Sequence, residues 1–587
     1  MNIRTLTLPA VLSLACAVHA DRAGDRKPVT AIHPGYTLEN IRPAAMDFPI
    51  GGMDFLSDGT LAVTSWRDPY GVYLLKRATG PKAGITVAPF ANGLTESLGL
   101  KVVHDTVFVL QKDELTALID GDGDGVADQY RAVAYDWTKS TMEKEYATGL
   151  AYDGKYFYGA FGDPTVESGT AVNPAPAGRQ NGVLRMGRDG KVEPWSGGMR
   201  VPGGIEFALG DVWVTENQGG YRPSNYLIDI RQGRWYNRPI NPPSVFQTIA
   251  YRNFPDDGPH KPVGAPFTVD LPFMDAGGRS PGNPVFLKDG PFKGQMFVPD
   301  ADGSAGGICR VFLEQIKGEW QGAVFHFSRG FESKTVYRLV QGPDGAFYAG
   351  ANGSDNAGWG RKTHIGLDRM KPNGNVAFEM LAVRSKGAGA FEIEFTKPLA
   401  ASLGADVAAH LEVEKWWDRP QEAYGQGRKQ DTTWLKVTAA AVSADRKKVA
   451  VTLTGSEEGW EHYFHWKGDI LATDVGEKLW GTEAWYMLNQ NGPGTDPVVS
   501  LGAADIIRPA AGALRCLATV SGLRVLAPPE VTGAFIVEIR DSRGRLRASA
   551  ASAGNGFADF ASADFPKGML LVRLLSGGRA WSSLFAR

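Results

Sequence analysis

The stretch Asp120-Gly121-Asp122-Gly123-Asp124-Gly125-Val126-Ala127-Asp128 sets carboxylates at alternate positions, with glycines between them that let the chain fold tightly. Carboxylates so arranged can converge on one hard cation, which makes Asp120, Asp122, Asp124 and Asp128 a candidate calcium loop. Arg131 stands at the twelfth position, where an EF-hand carries its bidentate Glu, so the loop is an incomplete EF-hand with a structural role expected. Its simpler alternative is a solvated turn. A second set, Arg200, Glu216, Asn217, Arg279, Asp300 and Asp302, lies where apolar runs begin or end, and loops there can converge on a ligand. Turn hydrogen bonds or salt bridges between sheets would also account for them. The imidazoles His462 and His465 in EHYFHW are expected to be packed or at the surface, and the aromatic text WYNRPINPPSVF from Trp235 suits packing or sugar stacking. No Ser-His-Asp set or carboxylate pair is strong enough to name a hydrolase.

The elements that would position these groups recur along the chain. A Gly, a short alternating run, a polar turn and an apolar strand return as GGMDFLSDGTLAVTSW, LGLKVVHDTVFVL, TGLAYDGKYFYGAFG, GGIEFALGDVWVTEN, GNPVFLKDGPFKGQMFVPD and YRLVQGPDGAFYAGANG. Second hairpin-like runs follow most of them, including GVYLLKR, GVLRMGRDGKV, YLIDIRQGRW and IGLDRMKPNGNV, with DG and NG dipeptides that favour tight turns. Two hairpins make a four-stranded sheet that cannot bury both faces alone, so copies must stack around an axis. The expectation is an all-β chain with a six-bladed β-propeller over 30–380, preferred to two successive sandwiches. A β-sandwich over 381–490, a linker over 491–512 and a small C-terminal β-sandwich module over 513–587 follow.

Composition agrees. The 587 residues carry 73 Gly, 36 Pro and 10% aromatics, which suits many short strands and tight turns. With 62 Lys+Arg against 64 Asp+Glu and no block of like charge, neither nucleic acid nor an anionic membrane surface is an expected partner. Residues 1–20 read as a signal peptide cut after Ala20, too short to remain as a transmembrane segment. Export to the cell exterior or outer surface, through the periplasm, is therefore expected. Cys309 and Cys516 remain, far apart and outside any CxxC, and are read as free thiols.

The texts NGVLRMGRDGKVEPWSGGMRVPGGIEF, VWVTENQGGYRPSNYLIDIRQG, RSPGNPVF with FKGQMFVPDADG, and GEWQGAVFHF resemble the glucose/sorbosone dehydrogenase group of propeller quinoproteins, nearest to a secreted sorbosone dehydrogenase-related branch. FEIEFTKPL and EAWYMLN extend the likeness into the sandwich. The resemblance implies pyrroloquinoline quinone (PQQ) and calcium at the propeller mouth, a His base, a sugar, alcohol or aldehyde substrate, and an external electron acceptor. Arg200, Glu216, Asn217, Arg279 and Asp300 would then bind the cofactor, Arg200 by pairing with a quinone carboxylate. Two positions depart from the pattern: Val201 replaces the Asn that follows the Arg, and Lys144, beside Glu145 in MEKEY, stands where the His is expected. Lys144 and Glu145 are thus the catalytic candidates, with weakened or lost catalysis expected from a protonated amine. The alternative is a non-catalytic propeller binding carbohydrate or a protein partner. The tail, with SRGRL, PKGMLLVRL and GGRAWSSLFAR, is similar to C-terminal sorting domains of type IX secretion, which implies the secretion machinery as a partner.

Overall fold

The computed structural model describes residues 29–67, 70–137, 146–162, 182–219, 224–236, 266–273, 275–276, 278–301, 306–353, 360, 362–419, 428–467, 471–497, 515–518, 522–526, 534–541, 545–552, 557–561, 569–577 and 579–586. The expected signal peptide over 1–20, Lys144, Glu145, Asp302 and most of the expected linker lie outside them. Among the described residues the elements are strands apart from short 3-10 turns, and no helix is long and apolar enough to cross a membrane.

Six antiparallel blades of four strands follow one another along the chain, five of them separate sheets and one, blade 5, the start of a larger sheet. Blade 1 spans 50–92, blade 2 spans 99–134, blade 3 spans 147–197, blade 4 spans 202–271 and blade 5 spans 285–329. Blade 6 takes three strands from 338–372 and completes itself with the N-terminal strand Tyr36–Asn40, which pairs with Leu367–Pro372. That closing strand was not legible as part of any repeat. IGLDRMKPNGNV, which reads as half of a local hairpin, pairs instead with the other end of the domain. Each of the six recurrent units forms the two innermost strands of one blade, and these inner strands touch in a closed ring.

The glycines of the units follow from that ring. A Cβ on Gly51 would lie 2.8 Å from the Ser97 carbonyl oxygen, one on Gly203 would lie 1.8 Å from the Pro281 carbonyl oxygen, and one on Gly282 would lie 1.8 Å from the Tyr337 carbonyl oxygen. Inner strands therefore approach backbone to backbone, which only Gly permits.

The sandwich is fused to blade 5. Gly322, Ala323 and Val324 on the blade's outer strand pair with Met487, Tyr486 and Trp485, so one sheet runs from the propeller into the second domain. Strand Arg428–Val442 turns the corner, pairing with Leu411–Arg419 by its first half and with Lys448–Thr454 by its second. The alternating burial of KVAVTLT and AFEIEF marks strands wet on one face. WEHYFHW is buried at every position, because one face meets the sandwich core and the other meets blades 4 and 5 through Tyr463 and its neighbours. The C-terminal residues form a three-stranded and a four-stranded sheet around Leu523, Val525, Phe535, Val537, Ile539 and Leu570.

Two buried polar networks stitch the first two domains together. Arg310 donates to Glu379, which also meets His33 Nε2 at 2.7 Å, and to the carbonyls of Met380 and Leu381. Glu314 accepts from Tyr486 Oη and from the Ser385 amide at 2.8 Å, and burial pushes its carboxyl up to about 7. A folded-state pKa above the unfolded one gives stability that is full below about pH 4.5 and is lost as pH rises through 7. Glu314→Gln keeps both accepted hydrogen bonds and removes the titration. The stability of the variant, followed by urea unfolding, should fall less than wild type from pH 4.5 to 8, by up to about 3 kcal/mol. Parallel curves for the two proteins would refute the assignment.

Candidate functional site at the propeller mouth

All six inner strands begin on one face of the propeller, and that face gathers four of the sequence-predicted residues. Arg200 precedes the first strand of blade 4, Glu216 and Asn217 end its second, and Asp300 ends the second strand of blade 5. Arg200, Glu216, Asn217 and Asp300 are buried, while Arg279 is exposed on the turn beside Asp300. Glu216 accepts from the Arg200 and Val201 amides at 2.7 and 3.2 Å. Arg200 Nη1 donates to the Gln218 carbonyl, and a Cβ on Gly219 would lie 2.2 Å from Arg200 Nε. Asn217 Nδ2 donates to Ser280 Oγ at 3.0 Å, and Asp300 accepts from the Arg279 and Ser280 amides at 3.0 and 3.2 Å. These contacts tie blades 4 and 5 into one polar frame.

The floor of the mouth comes from residues the sequence did not announce. Arg338, on the first strand of blade 6, lies across the axis and donates to the carbonyls of Gly51, Gly203 and Leu98 at 2.5, 2.8 and 3.2 Å. Its guanidinium sits 4.6 Å from the centre of the Tyr337 ring and 5.7 Å from that of Trp66. Trp66 meets Tyr146 edge-on at 5.7 Å. No carboxylate lies within ion-pair distance of Arg338 among the described residues, and burial pushes its pKa down to about 10. An Arg where four of the other units carry Gly, at 52, 99, 149 and 204, and one carries Asn283 was the one available signal.

The Asp120–Asp128 loop follows the third strand of blade 2, on the face opposite the mouth. Carboxylate oxygens of Asp120, Asp122 and Asp124 lie within 4.8 Å of one another. Asp128 instead accepts from the Gly121 amide at 2.6 Å. Strand direction thus separates this loop from the mouth. His462 is packed, bonded to Ser456 Oγ and the Trp460 carbonyl, and burial pushes it down to about 3. Trp235 and Tyr236 are buried between blades 3 and 4, as packing aromatics. Cys309 is a free, buried thiol.

The chain is a six-bladed β-propeller fused to a β-sandwich. No protein-family model and no curated protein matches it. Solved structures similar to it include an oxidoreductase (glucose dehydrogenase) from Thermus thermophilus, at 20% identity and a TM-score of 0.41, covering 57% of this chain and 100% of that one. The soluble aldose sugar dehydrogenase of Escherichia coli is similar at 14% identity and a TM-score of 0.39, over 58% and 100%. The pyranose dehydrogenase PQQ domain of Coprinopsis cinerea is similar at 14% and 0.40, over 58% and 96%. The propeller assignment itself stands on the strand order and the closed ring of inner strands.

Replacing Arg338 by Met would leave three inward carbonyls without their donor in a dry setting. Arg338→Met should lower the unfolding free energy by about 3 kcal/mol or more in denaturant titration, and Arg338→Lys should recover only part of it. A loss under about 1 kcal/mol for the Met variant would show that the axis does not depend on the guanidinium.

Proposed function

We propose that the chain is a dehydrogenase-like propeller whose mouth takes PQQ and a sugar or related alcohol or aldehyde, with catalysis weakened by Lys144. The observation that carries this reading is the set of buried polar groups, Ser97, Arg200, Glu216, Asn217 and Asp300, at the strand ends on the face that Trp66, Tyr337 and Arg338 share. Ser97 Oγ and Asn217 Oδ1 are buried there and have no hydrogen-bond partner among the described residues, so a polar planar molecule would satisfy them. Arg200, Asn217 and Ser97 would hold it by its polar edge, and Trp66 and Tyr146 would face its ring. When bound, the quinone supplies a two-electron oxidant for an alcohol carbon, and an external acceptor takes the electrons onward.

The chain's own part is to bind the sugar, exclude water and accept the hydroxyl proton. Lys144 must be neutral to accept it, and an unperturbed lysine amine is charged near neutral pH. Each pKa unit above the working pH costs about 1.4 kcal/mol. Slow oxidation that accelerates with pH follows. A second reading, a non-catalytic carbohydrate- or partner-binding propeller, is favoured by Val201 and by the Glu216 and Asp300 carboxylates, which accept from backbone amides. The C-terminal module belongs in this proposal as an export signal read by secretion machinery.

Wild type, Lys144→Ala and Lys144→His, each given PQQ, calcium, a sugar panel and a soluble acceptor, separate the readings. Quinone uptake in the absorption spectrum of all three, with weak wild-type turnover rising toward alkaline pH and faster turnover in Lys144→His, is the expected result. No quinone uptake by any of them leaves the binding propeller. A chain ending at Pro497 should keep the uptake and stay inside the producing cell.

Calcium at Asp120, Asp122 and Asp124, with Asp128 bracing the loop, is proposed as a structural ion, because carboxylates this close repel without a cation. Calorimetry should record one calcium per chain, and Asp122→Ala should abolish both that heat and the rise in Tm with calcium. An unchanged Tm in wild type would reduce the loop to a turn.

A further inference from the structure

Away from the mouth, the seam between propeller and sandwich brings together three titratable side chains from distant parts of the chain. Asp275 lies in the loop between blades 4 and 5, His326 lies on the outer strand of blade 5, and Glu483 begins the sandwich strand that pairs with it. His326 Nε2 is 3.3 Å from Asp275 Oδ1 and 3.5 Å from Glu483 Oε2, and ligand atoms of all three lie within 4.8 Å of one another. The imidazole and Glu483 are almost wholly buried, at 5% and 2% exposure, whereas the Asp275 side chain keeps 26%.

These separations are too long for charge-assisted hydrogen bonds, which run about 2.7–2.9 Å, and Nε2 makes no hydrogen bond of ordinary geometry among the described residues. They match another figure. Ligands about 2.0–2.1 Å from a tetrahedral cation stand about 3.4 Å apart. One Nε2–H cannot point at both carboxylates, whereas a cation accepts from all three atoms at once. The surroundings also hold the ligands in place: Tyr463 Oη donates to Glu483 Oε1 at 2.5 Å, leaving Oε2 toward His326, and Trp485 meets the imidazole edge-on at 5.3 Å. Arg329 Nη2 donates to the Asp275 carbonyl at 2.8 Å and fixes the loop from behind.

We infer that Asp275, His326 and Glu483 form a site for a zinc-class divalent cation that clamps the sandwich to the propeller, with a fourth position open to water on the Asp275 side. Imidazole with two carboxylates suits zinc, cobalt or nickel better than calcium or magnesium, which sets this site apart from the Asp120 loop. An imidazole ligates through a ring nitrogen that carries no proton, so binding should strengthen as pH rises.

The test uses the full chain, stripped with chelator, dialysed into calcium and titrated with zinc. One zinc per chain is expected by elemental analysis, together with proton release, a rise in Tm and, with cobalt in place of zinc, the intense visible absorption of a four-coordinate site. Asp275→Asn, at the part-exposed ligand, should fold as wild type does and lose at least tenfold in affinity; His326→Gln should lose the cation entirely. Asp122→Ala should leave zinc uptake intact. The site is refuted if wild type takes up no zinc, or if Asp275→Asn and His326→Gln both bind it as wild type does. Should His326→Gln fail to fold, the Asp275→Asn affinity and the wild-type cobalt spectrum decide the matter.

Discussion

A single guanidinium on the axis organises the propeller. Arg338 reaches from blade 6 to carbonyls of blades 1, 2 and 4, so three sheets that share no ladder hydrogen bonds are held to one centre. Burying a cation without a carboxylate partner is costly, and the carbonyl dipoles with the faces of Tyr337 and Trp66 must offset that cost. The carbonyls converge only because inner strands carry Gly at 51 and 203, where a Cβ would strike a neighbouring strand or side chain. The repeat seen in the sequence and the plug seen in the structure are one device.

Closure of the ring and fusion of the sandwich both act on blades that carry mouth residues. Strand Tyr36–Asn40 fastens blade 6, which holds Arg338 and Tyr337. The sandwich continues the sheet of blade 5, which holds Asp300, and the Arg310–Glu379–His33 network locks the crossing from blade to sandwich. Truncating one member of such a buried network strands the others, so its worth lies in fixing one arrangement more than in net stability. The mouth is thus built on two blades that cannot shift independently of the rest.

What could be read from the sequence was periodic, and what could not was assembled from afar. Units headed by Gly and ended by DG turns announced six inner hairpins, because close backbone contact and positive φ leave few residue choices. YTLEN carries no such constraint; its half-buried positions fit any edge strand, and its partner lies at the far end of the domain. Arg200, Glu216, Asn217 and Asp300 were found as strand-end residues, yet their roles as acceptors and donors to backbone depend on turns whose shapes the sequence leaves open. Asp275, His326 and Glu483 share no spacing rule at all, since three segments meet only after blade 5 and the sandwich have paired.

The mouth and the domain seam are also joined by one side chain. Arg329 faces Asp300 at 3.7 Å with Nη1 and the Asp275 carbonyl at 2.8 Å with Nη2. Between those two acids runs a turn in which Gly278, at φ +58°, lies against the Asp300 carboxylate so closely that a Cβ would sit 1.6 Å from Oδ2. Asn225 Nδ2 holds the Gly278 carbonyl at 3.1 Å and its Oδ1 accepts from the Gln218 amide, beside Arg200. Asp300, Gly278, Asn225 and Gln218 therefore form a continuous chain of contacts from the seam to Arg200 at the mouth. The turn has little room to give, because Gly278 lies packed directly against the Asp300 carboxylate. The sandwich reaches this chain of contacts through Glu483, which faces His326 beside Asp275.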